Sequence, residues 1–105
     1  MGSIVVKFGG SSLATAGQFE KVAAIIRENP ARRYVVASAP GKRCSDDTKV
    51  TDLLYRCYDA ACAGEDFLPT LTQIRQRFED IIAQLHLQGD LTADFDAIAD
   101  HLRTA

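Results

Sequence analysis

One stretch near the start of the chain constrains the fold more than any other: Ile4-Val5-Val6-Lys7-Phe8-Gly9-Gly10-Ser11-Ser12. A short continuous apolar run is the pattern of a strand buried in a parallel sheet. A lysine, a glycine pair and two hydroxyls then follow at its end. Ligands of open α/β sheets dock at the carboxyl ends of strands, and glycine lets the backbone turn sharply and approach an anion closely. A helix starting there would aim its unpaired N–H groups and positive dipole end at the same point. The order of residues therefore predicts a phosphate-gripping turn between a strand and a helix.

The turn is not a common P-loop, which needs a glycine directly before a lysine and a hydroxyl residue. The other Gly-Lys pair, Gly41-Lys42, has Val36 where that motif needs a glycine and Arg43 where it needs Ser or Thr. Three spaced glycines of the dinucleotide type are missing as well. Here the lysine precedes the glycines, and Lys7-Phe8-Gly9-Gly10-Ser11-Ser12-Leu13 closely resembles the signature of the aspartate kinases, in the amino-acid kinase superfamily. Val35 to Arg43 resembles that family's second strand and loop, and Asp46 to Leu54 the start of its next helix. The opening string alone is shared with kinases of glutamate, acetylglutamate or carbamate. Ser38 together with Thr51-Asp52-Leu53-Leu54 points to aspartate as acceptor.

With 105 residues the chain can make one small domain. Its 47% apolar and 25% charged residues are those of an ordinary globular protein, and a net charge of −2 gives no electrostatic case for nucleic acid or an anionic membrane. Arg32-Arg33 and Lys42-Arg43 read as solvated loop charges. No apolar run approaches the ~20 residues of a membrane span, and no signal peptide is indicated. Val6 stands where a myristoylation motif needs Ser or Thr. Cys44, Cys57 and Cys62 show no metal-ligand spacing and read as reduced cysteines of a cytoplasmic protein.

The periodicity predicts a first strand over 3–8 and a helix in which Thr15 and Gln18 have capping-box spacing. Phe19, Val22, Ile25 and Ile26 form its apolar stripe, and Asn29-Pro30 ends it. Tyr34 to Ser38 reads as a second strand, completing a right-handed parallel βαβ unit. A polar, mobile loop over 41–49 precedes three helices. These are lined by Val50, Leu53, Leu54, Cys57 and Ala61; by Leu71, Ile74, Phe78, Ile81 and Leu85; and by Leu91, Phe95, Ile98 and Leu102. Pro69 suits the first turn of the second, Thr92 is the expected cap of the third, and Gly64 and Gly89 punctuate the joins. Residues 1–54 thus form a βαβ unit with phosphate and substrate loops, and 55–105 a helical segment.

The resemblance implies an α/β protein, the amino-terminal βαβ part of the three-layer, carbamate-kinase-like fold of amino-acid kinases. Both strands read as interior strands of a larger sheet, so the chain is expected to be a fragment, inactive by itself. The reaction implied is transfer of phosphate from ATP, with Mg2+, to the side-chain carboxylate of L-aspartate. The resemblance implies catalysis by Lys7, phosphate binding by Lys7, Phe8, Gly9, Gly10 and Ser11, and substrate contacts from Ser38 and Thr51. Ser11 and Ser12 suit phosphate donors and turn caps equally, and Ser38 a substrate contact or a loop cap. No metal ligand is assigned: Asp46, Asp47 and Asp52 suit a polar loop and a helix start. His86 and His101 have no nucleophile at a recognisable spacing. The family's remaining substrate ligands, adenine pocket and regulatory domains are expected outside this chain, and a homo-oligomer is expected of the intact enzyme. The rival readings are an amino-acid kinase with another acceptor and a non-catalytic helical module that associates through its sheet edges.

Overall fold

A computed structural model describes residues 2–105. The elements follow in the order β1 (Ile4–Phe8), a single 3-10 turn (Gly10–Leu13), α1 (Ala16–Glu28), β2 (Arg32–Ala37), α2 (Val50–Cys62), α3 (Leu68–Gln84) and α4 (Thr92–Arg103). The chain divides into two compact units, one ending at Val50 and the other running from Thr51 to Ala105.

In the first unit β1 and β2 pair in parallel, with α1 as the crossover, as the βαβ reading requires. Parallel strands demand such a crossover because a tight hairpin can join only antiparallel neighbours. The register runs from Ile4 opposite Arg32 to Phe8 opposite Ala37, with an irregularity between Ile4 and Val5. Arg32 and Arg33 belong to β2 and not to a loop. Arg32 is half-buried there, donating to the Ile25 carbonyl and lying 3.8 Å from Glu28.

Alternation along β1 sends Val6 and Phe8 to one face. On it Phe8, Leu13 and Val22 are buried, with Val6, Phe19 and Ile26 packed against them. Leu13 reaches this core because the glycine pair runs into a 3-10 turn, an element that the sequence reading does not place before the helix. α1 begins only at Ala16. Its cap is the expected one, Thr15 Oγ1 accepting from Gln18 N at 3.3 Å. Asn29 Oδ1 accepts from Ala31 N at 3.0 Å and turns the chain into β2. On the opposite face Val5, Tyr34 and Val36 are 65%, 60% and 50% exposed.

In the second unit Leu53, Cys57, Phe67, Leu71, Ile74, Ile81, Phe95 and Ala99 are buried. Most lie on the predicted stripes; Leu54 departs from its stripe and is exposed. Arg75 ties α3 to the start of α4: Nε donates to Glu79 at 2.8 Å and an Nη to Thr92 Oγ1 at 2.7 Å. Its guanidinium also lies 5.8 Å from the centre of the Phe95 ring, within cation–π range. Thr92 is not the cap of α4. It is the first helical residue, and Asp90 Oδ1 instead accepts from Thr92 N at 2.8 Å. Proline stands in the first turn of α3, as expected.

The helix ends show where glycine is needed. After α2, Gly64 has φ +73°, and Glu65 N and Gly64 N donate to Ala60 O and Ala61 O at 2.8 and 3.2 Å. This is the bonding of a Schellman stop. α3 closes in the same way, with Leu87 N donating to Ile82 O at 3.0 Å and His86 N to Ala83 O at 3.1 Å. The residue in the left-handed position is His86, at φ 56°, so Gly89 is not the stop of α3. A side chain costs roughly 1–2 kcal/mol in that conformation. His86→Gly should therefore stabilise the chain by about 0.5–1 kcal/mol after the extra freedom of unfolded glycine is subtracted, read as a higher urea midpoint at unchanged slope.

Candidate functional site

β1 and β2 are parallel, so the segments that leave them emerge on the same side of the sheet. Ser38 N donates to Phe8 O at 3.1 Å, one bond beyond the end of β2. Gly41 N then donates to Gly10 O at 2.8 Å, tying the second loop to the glycine turn. Lys7, Phe8, Gly9, Gly10, Ser11 and Ser38 are brought to one end of the sheet in the first unit. Thr51 stands in the second unit, in the first turn of α2. There it borders an open groove of about 500 Å³ with Leu54, Tyr55 and Tyr58.

Around the turn, the Gly9 carbonyl accepts from Ser12 N at 3.1 Å and the Gly10 carbonyl from Gly41 N. Among the described residues, no hydrogen bond takes the N–H of Gly9, Gly10 or Ser11. The carbonyls are held and the donors remain available, the arrangement an anion needs. The dipole of α1 contributes less than expected, because the 3-10 turn intervenes and Thr15 already accepts one of the first-turn N–H groups. Phe8 is buried, so its side chain serves the core and only its backbone can face a ligand.

Lys7 is exposed, and none of the ion pairs among the described residues involves it. The reading of β1 as a buried strand does not extend to Lys7, whose side chain is open to solvent within these residues. Alternation puts it on the open face of the sheet, beside Val36 in the register.

The loop expected to be mobile is cross-braced. Arg43 grips Asp47 with Nε to Oδ2 at 2.7 Å and an Nη to Oδ1 at 3.0 Å, while its backbone N donates to Oδ2 at 2.9 Å. The fork geometry of this pair is the strong form of a charge-assisted contact. Val50 N donates to Pro40 O at 3.0 Å and closes the loop at its far end. Pro40, Gly41 and Val50 are buried. The Arg43–Asp47 spacing of four residues was visible in the sequence, but no helix there marked it as a pair. Among the described residues no three His, Cys, Asp or Glu side chains gather where a metal could sit. Asp47 faces Arg43, and Asp52 lies in the first turn of α2.

The hydrogen bonds from Arg43 hold the Asp47 carboxyl well below the usual carboxylate range, against a smaller opposing effect of burial. A lowered folded pKa stabilises the folded state above the unfolded value of about 4 and loses that contribution as pH falls below it. Asp47→Asn should thus lower the thermal midpoint at pH 7, and the difference from wild type should shrink below about pH 4. Melting curves of both proteins from pH 7 to pH 2.5 check this; a constant gap across that range contradicts it.

No protein-family model matches the chain. Aspartokinase 3 of Bacillus subtilis (strain 168) is 46% identical over 83 residues, which are 79% of this chain and 18% of that protein. The crystal structure of Clostridium acetobutylicum aspartate kinase superposes on all of this chain with a TM-score of 0.95 and 37% identity, over 24% of its own length. The chain therefore spans less than a quarter of each of these relatives. In sequence and in fold alike, it is a homologue of a part of the aspartate kinases, the family that its Lys7–Leu13 motif resembles.

Proposed function

We propose that this chain is the amino-terminal part of a cytoplasmic aspartate kinase and supplies the turn that grips the phosphates of ATP. The observation that carries this reading is the union of two things: homology to aspartate kinases over most of the chain, and turn amides that no described residue takes, next to a lysine at a strand end. In the proposed reaction a side-chain oxygen of L-aspartate attacks the γ-phosphorus of ATP. The bond to the β–γ bridging oxygen breaks, and 4-phospho-L-aspartate and ADP are formed. The carboxylate is already ionised at neutral pH, so no general base is required. Positioning and charge stabilisation do the work.

Lys7 places its ammonium against the moving phosphoryl oxygens. The N–H groups of Gly9, Gly10 and Ser11 hold the phosphates, with Phe8 anchoring the backbone beneath them. Ser38 and Thr51 donate hydroxyls to the amino-acid substrate. Mg2+ enters with ATP as part of the substrate and neutralises phosphate charge; no side chain of this chain is assigned to it. Further strands and helices of a three-layer fold would cover Val5, Tyr34 and Val36. The 105 residues by themselves are inactive in this reading, which fits their small share of each relative.

The test is an acyl-phosphate assay on the full-length protein: ATP, Mg2+ and each candidate acceptor, with hydroxylamine to trap the product. Hydroxamate formed with aspartate supports the reading. Turnover with glutamate, acetylglutamate or carbamate but not aspartate reverses the acceptor. Lys7→Ala should lower kcat by about 10²–10³-fold, the scale of losing one preorganised donor to a charged transition state. Because Lys7 is exposed, the circular dichroism spectrum should not change. Activity within a few fold of wild type removes Lys7 from the reaction.

A further inference from the structure

We propose that Gly41 is a positioning residue, a backbone stitch that sets the Gly10–Ser11 peptide where it can hold phosphate. The proposal rests on the phosphate role of the turn. Gly41 lies against Gly10 so closely that position 41 has no room for a side chain and position 10 would hold one only if its neighbours gave way by a few tenths of an ångström. A Cβ on Gly41 would fall 2.7 Å from the carbonyl carbon of Gly10, 2.9 Å from its oxygen and 2.9 Å from Ser11 N. A Cβ on Gly10 would lie 3.1 Å from Ala39 O and 3.2 Å from both N and Cα of Gly41. All of these neighbours are backbone atoms, which cannot swing aside as the end of a long side chain does.

Neither glycine has a positive φ, since Gly64 alone among the described glycines has one. Alanine is therefore acceptable to the local backbone at position 41, and only the contact with Gly10–Ser11 opposes it. Which side yields is decided by the bracing. The Gly41 loop is closed by Val50 N to Pro40 O at 3.0 Å and by the Arg43–Asp47 fork. In the Gly9–Ser11 turn the Gly9 and Gly10 carbonyls are tied, while no hydrogen bond among the described residues takes the N–H groups. A methyl on Gly41 thus pushes the turn, and with it the Ser11 amide, away from its phosphate-holding position. Ser38, whose N–H is bonded to Phe8 at the strand end, is not in the path of that push.

This predicts a selective kinetic defect in the full-length protein. Gly41→Ala should lower kcat/KM for ATP by about tenfold or more, since displacements well under 1 Å are costly in a preorganised site, while the KM for aspartate stays within about threefold of wild type. Gly17→Ala is the control: its nearest heavy atom lies 3.9 Å away, on an exposed helix position, and both constants should be unchanged. Gly41→Ala with ATP parameters within about twofold of wild type overturns the stitch, as does a rise confined to the aspartate KM. Should Gly41→Ala fail to fold, Asp47→Asn decides, because it loosens the bracing loop without adding bulk. A rise of about threefold in the KM for ATP alone supports the stitch, and an unmoved KM for ATP overturns it. If the wild-type protein makes no acyl phosphate, the function reading fails separately. The stitch is then read in the chain's amide NMR spectrum, where Gly41→Ala must shift the Gly10 and Ser11 resonances more than those of β1; if it does not, the stitch is overturned.

Discussion

Everything at the candidate site follows from the parallel pairing of β1 and β2. Parallel strands bring their two outgoing segments to the same edge of the sheet, so the Lys7–Ser12 turn and the Ser38–Lys49 loop have to share one space. The bond from Ser38 N to Phe8 O continues the ladder past β2, and the bond from Gly41 N to Gly10 O continues the association beyond regular structure. The crossover helix makes the pairing possible, and Phe8, Leu13 and Val22 hold it down. A loss of that small core would release the strands and the loops together.

Sharing the space has a consequence for residue type. Two backbones in such close contact leave no volume for a side chain at position 41 and little at position 10, so glycine is favoured there for reasons of room and not of torsion angle. The same glycines leave the N–H groups of the turn uncovered. Close packing of two loops and exposure of donors to a ligand are thus a single geometric solution. The Arg43–Asp47 fork adds rigidity on the side of the second loop, where no regular element would otherwise supply it.

How far these features were legible depends on the range over which each is determined. The strands, the Thr15 cap, the Pro69 helix start and most apolar stripes are set by residues within a few positions of one another, and periodicity or local chemistry reveals them. The 3-10 turn was missed because the glycine pair does not say how the next residues wind; the burial of Leu13 decides that. At α4 the helix begins at Thr92, one residue earlier than a Thr92 cap would set it, and Asp90 accepts from Thr92 N. His86 in a left-handed conformation defeats the rule that glycine marks a helix stop. The bracing of the second loop and the contact of Gly41 with Gly10 depend on the sheet having formed, and no local pattern encodes them.

The exposure of Lys7 bears on how its charge could matter. Alternation in β1 ties Lys7 to the same face as Val5, and the register sets Tyr34 and Val36 beside them. That face is apolar and open within these residues. An open face leaves the ammonium hydrated, with little reason to prefer phosphate over water. Were further structure to cover Val5, Tyr34 and Val36, as the proposed function requires, the same ammonium would stand at the rim of a low-dielectric surface, where charge pairs strengthen and an unpaired charge becomes costly. The grip of the turn on ATP, in the proposed function, therefore draws on two sources. The amides of Gly9, Gly10 and Ser11 are set by contacts within the first unit, whereas the strength of Lys7 is set by whatever packs on the sheet's other face. This difference explains why the short chain can hold the backbone geometry of the site and still be proposed as inactive.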